Sequence, residues 1–166
     1  MINKLVFSIL VGLISFISNL IAQESHIHKA GALVGVWQYE TSGMASGWDD
    51  SYQFFEDGKF IFNFSQMVNK GTRIIQVLGN YRFSNDTLYF VAKTTSELVG
   101  GHIKRGRPDC EWLIEGGKRE SIEEKQPIEE FALISKCKSK TESADCITID
   151  GVPFYKVSSN PLDYDK

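Results

Sequence analysis

The stretch "SYQFFEDGKFIFNFS", residues 51–65, constrains the fold most strongly. Phe60, Phe62 and Phe64 alternate with Lys59, Ile61, Asn63 and Ser65. A period of two puts alternate side chains on opposite faces of an extended strand, so the three Phe share one buried face. Asp57-Gly58 precedes this run, and Gly tolerates the positive φ of a tight hairpin turn. Two antiparallel strands joined by a short turn are therefore predicted.

The pattern recurs down the chain. "TRIIQVLGNYRF" puts Ile75, Val77, Gly79, Tyr81 and Phe83 on one face, and "TLYFVAK" returns after "SND" with Leu88 and Phe90 on the matching face. Gly79, in mid-strand, predicts a bend or bulge of the kind a curving sheet needs. "CEWLIEG", "EFALISKC", "CITID" and "VPFYKV" continue the series. "GGKRESIEEKQPIEE" has few apolar positions and contains Pro127, so it reads as a solvated loop with one helical turn at most. The expected fold is all-β: a single antiparallel up-and-down (meander) barrel of about eight strands. Closure would remove edges that "KFIFNFS" and "TRIIQVLG" would otherwise leave open to aggregation.

Residues 1–22, "MINKLVFSILVGLISFISNLIA", have the layout of a signal peptide. Lys4 precedes an apolar run, and Leu20 and Ala22 occupy the −3 and −1 positions before Gln23. The expected organisation is then a flexible lead at 23–32, the barrel at 33–158 and a C-terminal tail at 159–166. Such a chain is exported, to the periplasm or beyond the cell. The full chain carries a formal net charge of −3, which argues against nucleic-acid binding. No later segment is long and apolar enough to span a bilayer as a helix. Export implies oxidising conditions, and "CKSKTESADC" places Cys137 and Cys146 where two facing strands would bring them within bridging reach. Cys110 is then the remaining thiol, expected to be buried.

The opening strand, "LVGVWQYE", carries Gly35 and Trp37 two residues apart and so on one face. There an indole can plug the end of a barrel while its N–H reaches a carbonyl. In sequence this chain resembles the lipocalin family, and more closely its compact bacterial lipocalin-like domains. The resemblance rests on three motifs in order: Leu33-Val34-Gly35-Val36-Trp37, then Phe54-Phe55-Glu56-Asp57-Gly58-Lys59-Phe60, then Gly79-Asn80-Tyr81-Arg82-Phe83 followed by "DTLYF". Most lipocalins stack a late-strand Arg on the opening Trp. No Arg follows Arg119 here, and Lys156 is the expected substitute cation over the ring. Gly35, Trp37 and Lys156 are thus the expected barrel-end residues.

The resemblance implies a small apolar or amphipathic ligand held inside the barrel. An eight-stranded barrel is just wide enough to be filled by side chains or to admit one small molecule. Nine Phe follow the leader, enough bulk for either outcome. Tyr52, Phe62, Tyr81, Phe90, Trp112 and Phe131 are the expected liners. The alternative is a filled barrel that meets a protein through its loops, using Trp48 or the basic "HIKRGRP" segment. No catalytic constellation is visible: the three His are too few, and neighbouring carboxylates such as Glu123-Glu124 would point to opposite faces of a strand. No phosphate-binding Gly loop, cofactor signature or metal-ligand spacing appears; His26-Ile27-His28 alone is too sparse for a metal site.

Overall fold

The computed structural model describes residues 30–39, 49–65, 73–105, 112–137 and 145–165. The expected signal peptide, His26, His28, Trp48 and Cys110 lie outside the described residues, as does the tip of the basic segment. Eight strands follow in chain order: β1 (Gly35–Tyr39), β2 (Ser51–Phe54), β3 (Lys59–Asn63), β4 (Ile74–Ser84), β5 (Thr87–Arg105), β6 (Trp112–Lys136), β7 (Cys146–Ile149) and β8 (Val152–Ser158). Each pairs antiparallel with the next, and β8 pairs back with β1, so the sheet closes as an up-and-down barrel.

The strand directions sort the connections. The β2–β3 turn, the β4–β5 turn and the β6–β7 connection lie at one end, called the lower end. The β3–β4, β5–β6 and β7–β8 connections lie at the upper end. The β2–β3 turn falls where Asp57-Gly58 predicts it, with Gly58 at φ 78. Gly79 marks a register shift against β5, and a Cβ there would overlap the Val91 carbonyl oxygen. The predicted mid-strand bulge is therefore a place where two backbones come too close for a side chain.

The inward face of the lower half is packed solid. Leu33, Trp37, Phe54, Phe60, Tyr81, Leu88, Phe90, Ile134, Ile149 and Phe154 belong to one buried cluster. The 3-10 helix Ala30–Leu33 precedes β1, and its Leu33 is fully buried. Ala30–Ala32, placed in the lead by sequence, are thus part of this ordered turn. At the other terminus, Pro161–Asp165 form a second 3-10 helix where a tail was expected. Tyr164 is buried, and the Pro161 carbonyl accepts from Gln53 Nε2 at 2.6 Å.

The largest departure from the sequence reading is "GGKRESIEEKQPIEE", which is strand and not loop. It joins "CEWLIEG" to "EFALISKC", making β6 continuous from Trp112 to Lys136. The pairing of β4 with β5 ends at Ile74–Glu97, whereas β5–β6 pairing runs on to Arg105–Trp112. From Leu98 onward β5 and β6 therefore form a two-stranded arm. At about 3.4 Å per residue its eight-residue β5 side extends roughly 25 Å. Arg73 fastens the base of this arm through the carbonyls of Leu98 (3.0 Å) and Gly100 (2.5 Å). Charged residues fit this strand because, among the described residues, one of its edges is open: β7 pairs only with Ile134–Lys136. Charge, Pro and bulges are what keep an open edge from pairing with other chains.

The Cys137 and Cys146 sulfurs are at bonding distance, with Cα atoms 5.2 Å apart. The bridge closes the β6–β7 connection, and the Cys137 N–H also donates to the Cys146 carbonyl at 3.1 Å.

Candidate functional site

The upper half of the barrel is not filled. A cavity of about 500 Å³ opens above the packed cluster. β2 supplies Tyr52, β3 supplies Phe60 and Phe62, and Phe64 follows at the end of β3. β4 adds Ile74 and Val77, and β5 adds Phe90, Ala92, Thr95 and Glu97. β6 closes the far wall with Ile122, Glu124, Ile128 and Glu130.

The volume has a local cause. Phe60 faces Gly79 and Gly79 faces Ala92, so two small residues occupy neighbouring inward positions. Next to them β6 carries a wide bulge. Ala92 pairs with Ile128 and Thr94 with Glu123, so β5 advances two residues while β6 advances five. Pro127 sits in this bulge, where its missing N–H costs no ladder bond. The bulge resets the inward phase and turns Ile122, Glu124, Ile128 and Glu130 to the interior together.

Tyr52 sits between the packed half and the cavity. Its ring lies 4.6 Å from Phe62 and 5.7 Å from Phe90, centroid to centroid. Phe62 in turn meets Phe64 edge-on at 4.8 Å. Burial pushes the Tyr52 hydroxyl up to about 12, and the nearby carboxylates of Asp150, Glu130 and Asp50 push the same way. Among the described residues three carboxylates line the cavity, Glu97, Glu124 and Glu130, and no Lys, Arg or His does. Glu124 accepts from Thr95 Oγ1 at 2.8 Å.

Tyr52, Phe62 and Phe90 thus lie where sequence places the liners. The other three do not. Tyr81 belongs to the packed layer below: its ring meets Phe54 edge-on at 4.9 Å, and its hydroxyl donates to the Phe55 carbonyl at 3.1 Å. Phe131 points out, at 72% exposure, while its neighbour Ala132 is buried. The reason is phase. "FALI" is apolar on both faces, and the register chosen buries Ala132 and Ile134 instead of Phe131 and Leu133. Trp112 begins the arm, paired with Arg105, roughly 30 Å of strand from Ile122. It is carried there because the expected loop is strand.

At the lower end Trp37 is buried and its Nε1–H donates to the Leu33 carbonyl at 2.6 Å. Lys156 is its cross-strand partner on β8, with Nζ 5.4 Å from the ring centroid. Gly35 has φ 132, and a Cβ there would overlap the Ser158 carbonyl oxygen.

Phe60, Phe64 and Val77 were legible as same-face neighbours of the residues singled out. Glu97, Glu124 and Glu130 were not, because an inward carboxylate runs against the period-two rule by which faces are assigned. Comparison with family models, curated proteins and solved structures gives no match to this chain.

Proposed function

We propose that this chain is an exported, lipocalin-like carrier that holds one small apolar or amphipathic molecule in the upper cavity. The observation that carries the reading is an aromatic-walled space of about 500 Å³ above a barrel half that is otherwise fully packed. Spaces of this size suit single small ligands. A ligand burying about 300 Å² of apolar surface would gain on the order of 7 kcal/mol from that burial, before the cost of immobilising it is subtracted. The motif order from Leu33 to Phe83 supports the lipocalin-like part of the reading, and the Trp37 contacts at the lower end fit it. The leader and the Cys137–Cys146 pair support export to the periplasm or beyond.

The test is a titration with N-phenyl-1-naphthylamine, an uncharged fluorescent probe at neutral pH. Saturable enhancement with one site per chain is expected. Ala92→Phe, which fills the cavity from β5, should abolish it while leaving the melting transition cooperative. A flat titration of the unmodified protein would refute the carrier reading.

One feature favours a second reading, contact with another protein. Phe131 and Leu133 are 72% and 64% exposed on the outer face, beside the open edge of β6. Such a surface suits a partner that covers apolar side chains or adds a strand.

A further inference from the structure

The cavity is asymmetric in charge, and this asymmetry narrows the ligand class. Its floor is aromatic: Tyr52, Phe62 and Phe90. Beside it β5 carries Glu97 and β6 carries Glu124 and Glu130, the last directly across from Phe90. Among the described residues none of the three forms an ion pair. Three basic residues of the barrel are held by other groups. Arg119 bonds Gln76 and Ser96, and Arg73 bonds the carbonyls of Leu98 and Gly100. Lys156 lies over Trp37 in the packed half.

Carboxylates gathered around one confined space repel an anion and attract a cation, each adding to the field of the others. The aromatic faces add to this, since a ring attracts a cation placed over it. Asp150 and Asp50 also act on Tyr52, so the negative field extends beyond the lining itself. A metal ion is a poor occupant: among the described residues no group of three or more His, Cys, Asp or Glu is placed to hold one. The remaining way to satisfy both the rings and the carboxylates is a molecule with a hydrocarbon or aromatic body and one positively charged nitrogen.

We infer that the cavity selects a cationic amphiphile, an apolar amine, over fatty acids and neutral lipids of the same length. This rests on the carrier reading above and specifies its ligand. Calorimetric titration of the full protein with three matched probes, dodecylamine, dodecanol and dodecanoate, each below its solubility or micelle limit, separates the two ideas. The amine should bind at least tenfold tighter than the alcohol, with one site per chain. The carboxylate should bind at least tenfold weaker than the alcohol. The combined Glu97→Gln, Glu124→Gln and Glu130→Gln variant should flatten this order while keeping alcohol binding, and Ala92→Phe should remove amine binding. The last comparison distinguishes cavity binding from adsorption of a cation to an acidic surface. Alcohol binding without a charge order, or a preference for the carboxylate, overturns this inference and leaves the carrier reading intact. Failure of all three probes to bind overturns both.

Discussion

Replacing Gly35 with Ala tests the closed end of the barrel most directly. Gly35 sits at φ 132, a backbone region that L residues rarely adopt. Holding Ala there costs about 1–3 kcal/mol in backbone strain. The new Cβ would also overlap the Ser158 carbonyl oxygen and come within 3.0 Å of Lys156 Cε. The Lys156 side chain can swing away, but Ser158 is backbone, in the strand that pairs with β1. Separating β1 from β8 there adds roughly 1–3 kcal/mol, the usual cost of forcing extra bulk into a packed site. The expected loss is roughly 2–6 kcal/mol, which for a chain of this size lowers Tm by about 10 °C at the middle of that range. Guanidinium unfolding followed by far-UV circular dichroism measures it, with the m-value unchanged if only stability is affected. Gly31→Ala is the matched control, since a Cβ there meets nothing within 4 Å; it should stay within about 0.5 kcal/mol of the parent. If Gly35→Ala were as stable as Gly31→Ala, the close approach of β1 to β8 at this position would be wrong, and the account of the opening Gly-x-Trp with it.

Two further outcomes are expected. Removing the bridge with Cys137→Ser and Cys146→Ser together, a sequence separation of 9, should cost roughly 2.5–3 kcal/mol on loop-entropy grounds; an unchanged urea midpoint would show that the bridge contributes nothing. The buried Tyr52 hydroxyl titrates near 12 in the fold against an ordinary value of 10, so the stability it confers is complete below pH 10 and is lost as pH rises towards 12. Between those limits the parent should lose roughly 2–3 kcal/mol more than Tyr52→Phe, and parallel pH–stability curves for the two proteins would contradict the burial argument.

The parts of the fold that sequence disclosed are those where one face is apolar and the other is not. Phe60 and Phe62 read correctly because Lys59, Ile61 and Asn63 separate them, and Asp57-Gly58 supplies a turn that only a few residue pairs accept. Gly79 read correctly because a glycine inside an alternating run has little other reason to be there. The failures share a cause as well. "FALI" offers two apolar faces, so its phase is set by neighbouring strands and not by its own pattern, and Phe131 falls on the outside. "GGKRESIEEKQPIEE" offers no apolar face, yet it is strand, because the β5 side of the hairpin satisfies its backbone whatever its side chains prefer. Local periodicity reports burial and not pairing, so a strand paired along one edge and wet on most of its surface gives no signal.

The same segment shows how an inward acidic wall can arise without a large cost. A carboxylate inside a closed, fully paired barrel would have to leave water altogether, and burial of that kind is expensive unless a partner cation is present. Here the wall that bears Glu124 and Glu130 is the one whose outer edge β7 leaves unpaired, and Glu130 remains exposed to solvent even as it faces the cavity. The open edge leaves those carboxylates within reach of water, while Pro127 and the neighbouring charges keep the edge from recruiting a strand. An amphiphile whose apolar body displaces water from Tyr52, Phe62 and Phe90, and whose charged nitrogen reaches towards the wet wall, would not require any of the three carboxylates to be buried without a partner. A neutral ligand filling the same space would strip water from Glu97 and Glu124 and return nothing to them. The open edge and the proposed charge preference are therefore two consequences of one arrangement, a barrel that is closed by short β7 at its lower end and left unsealed along β6 above it.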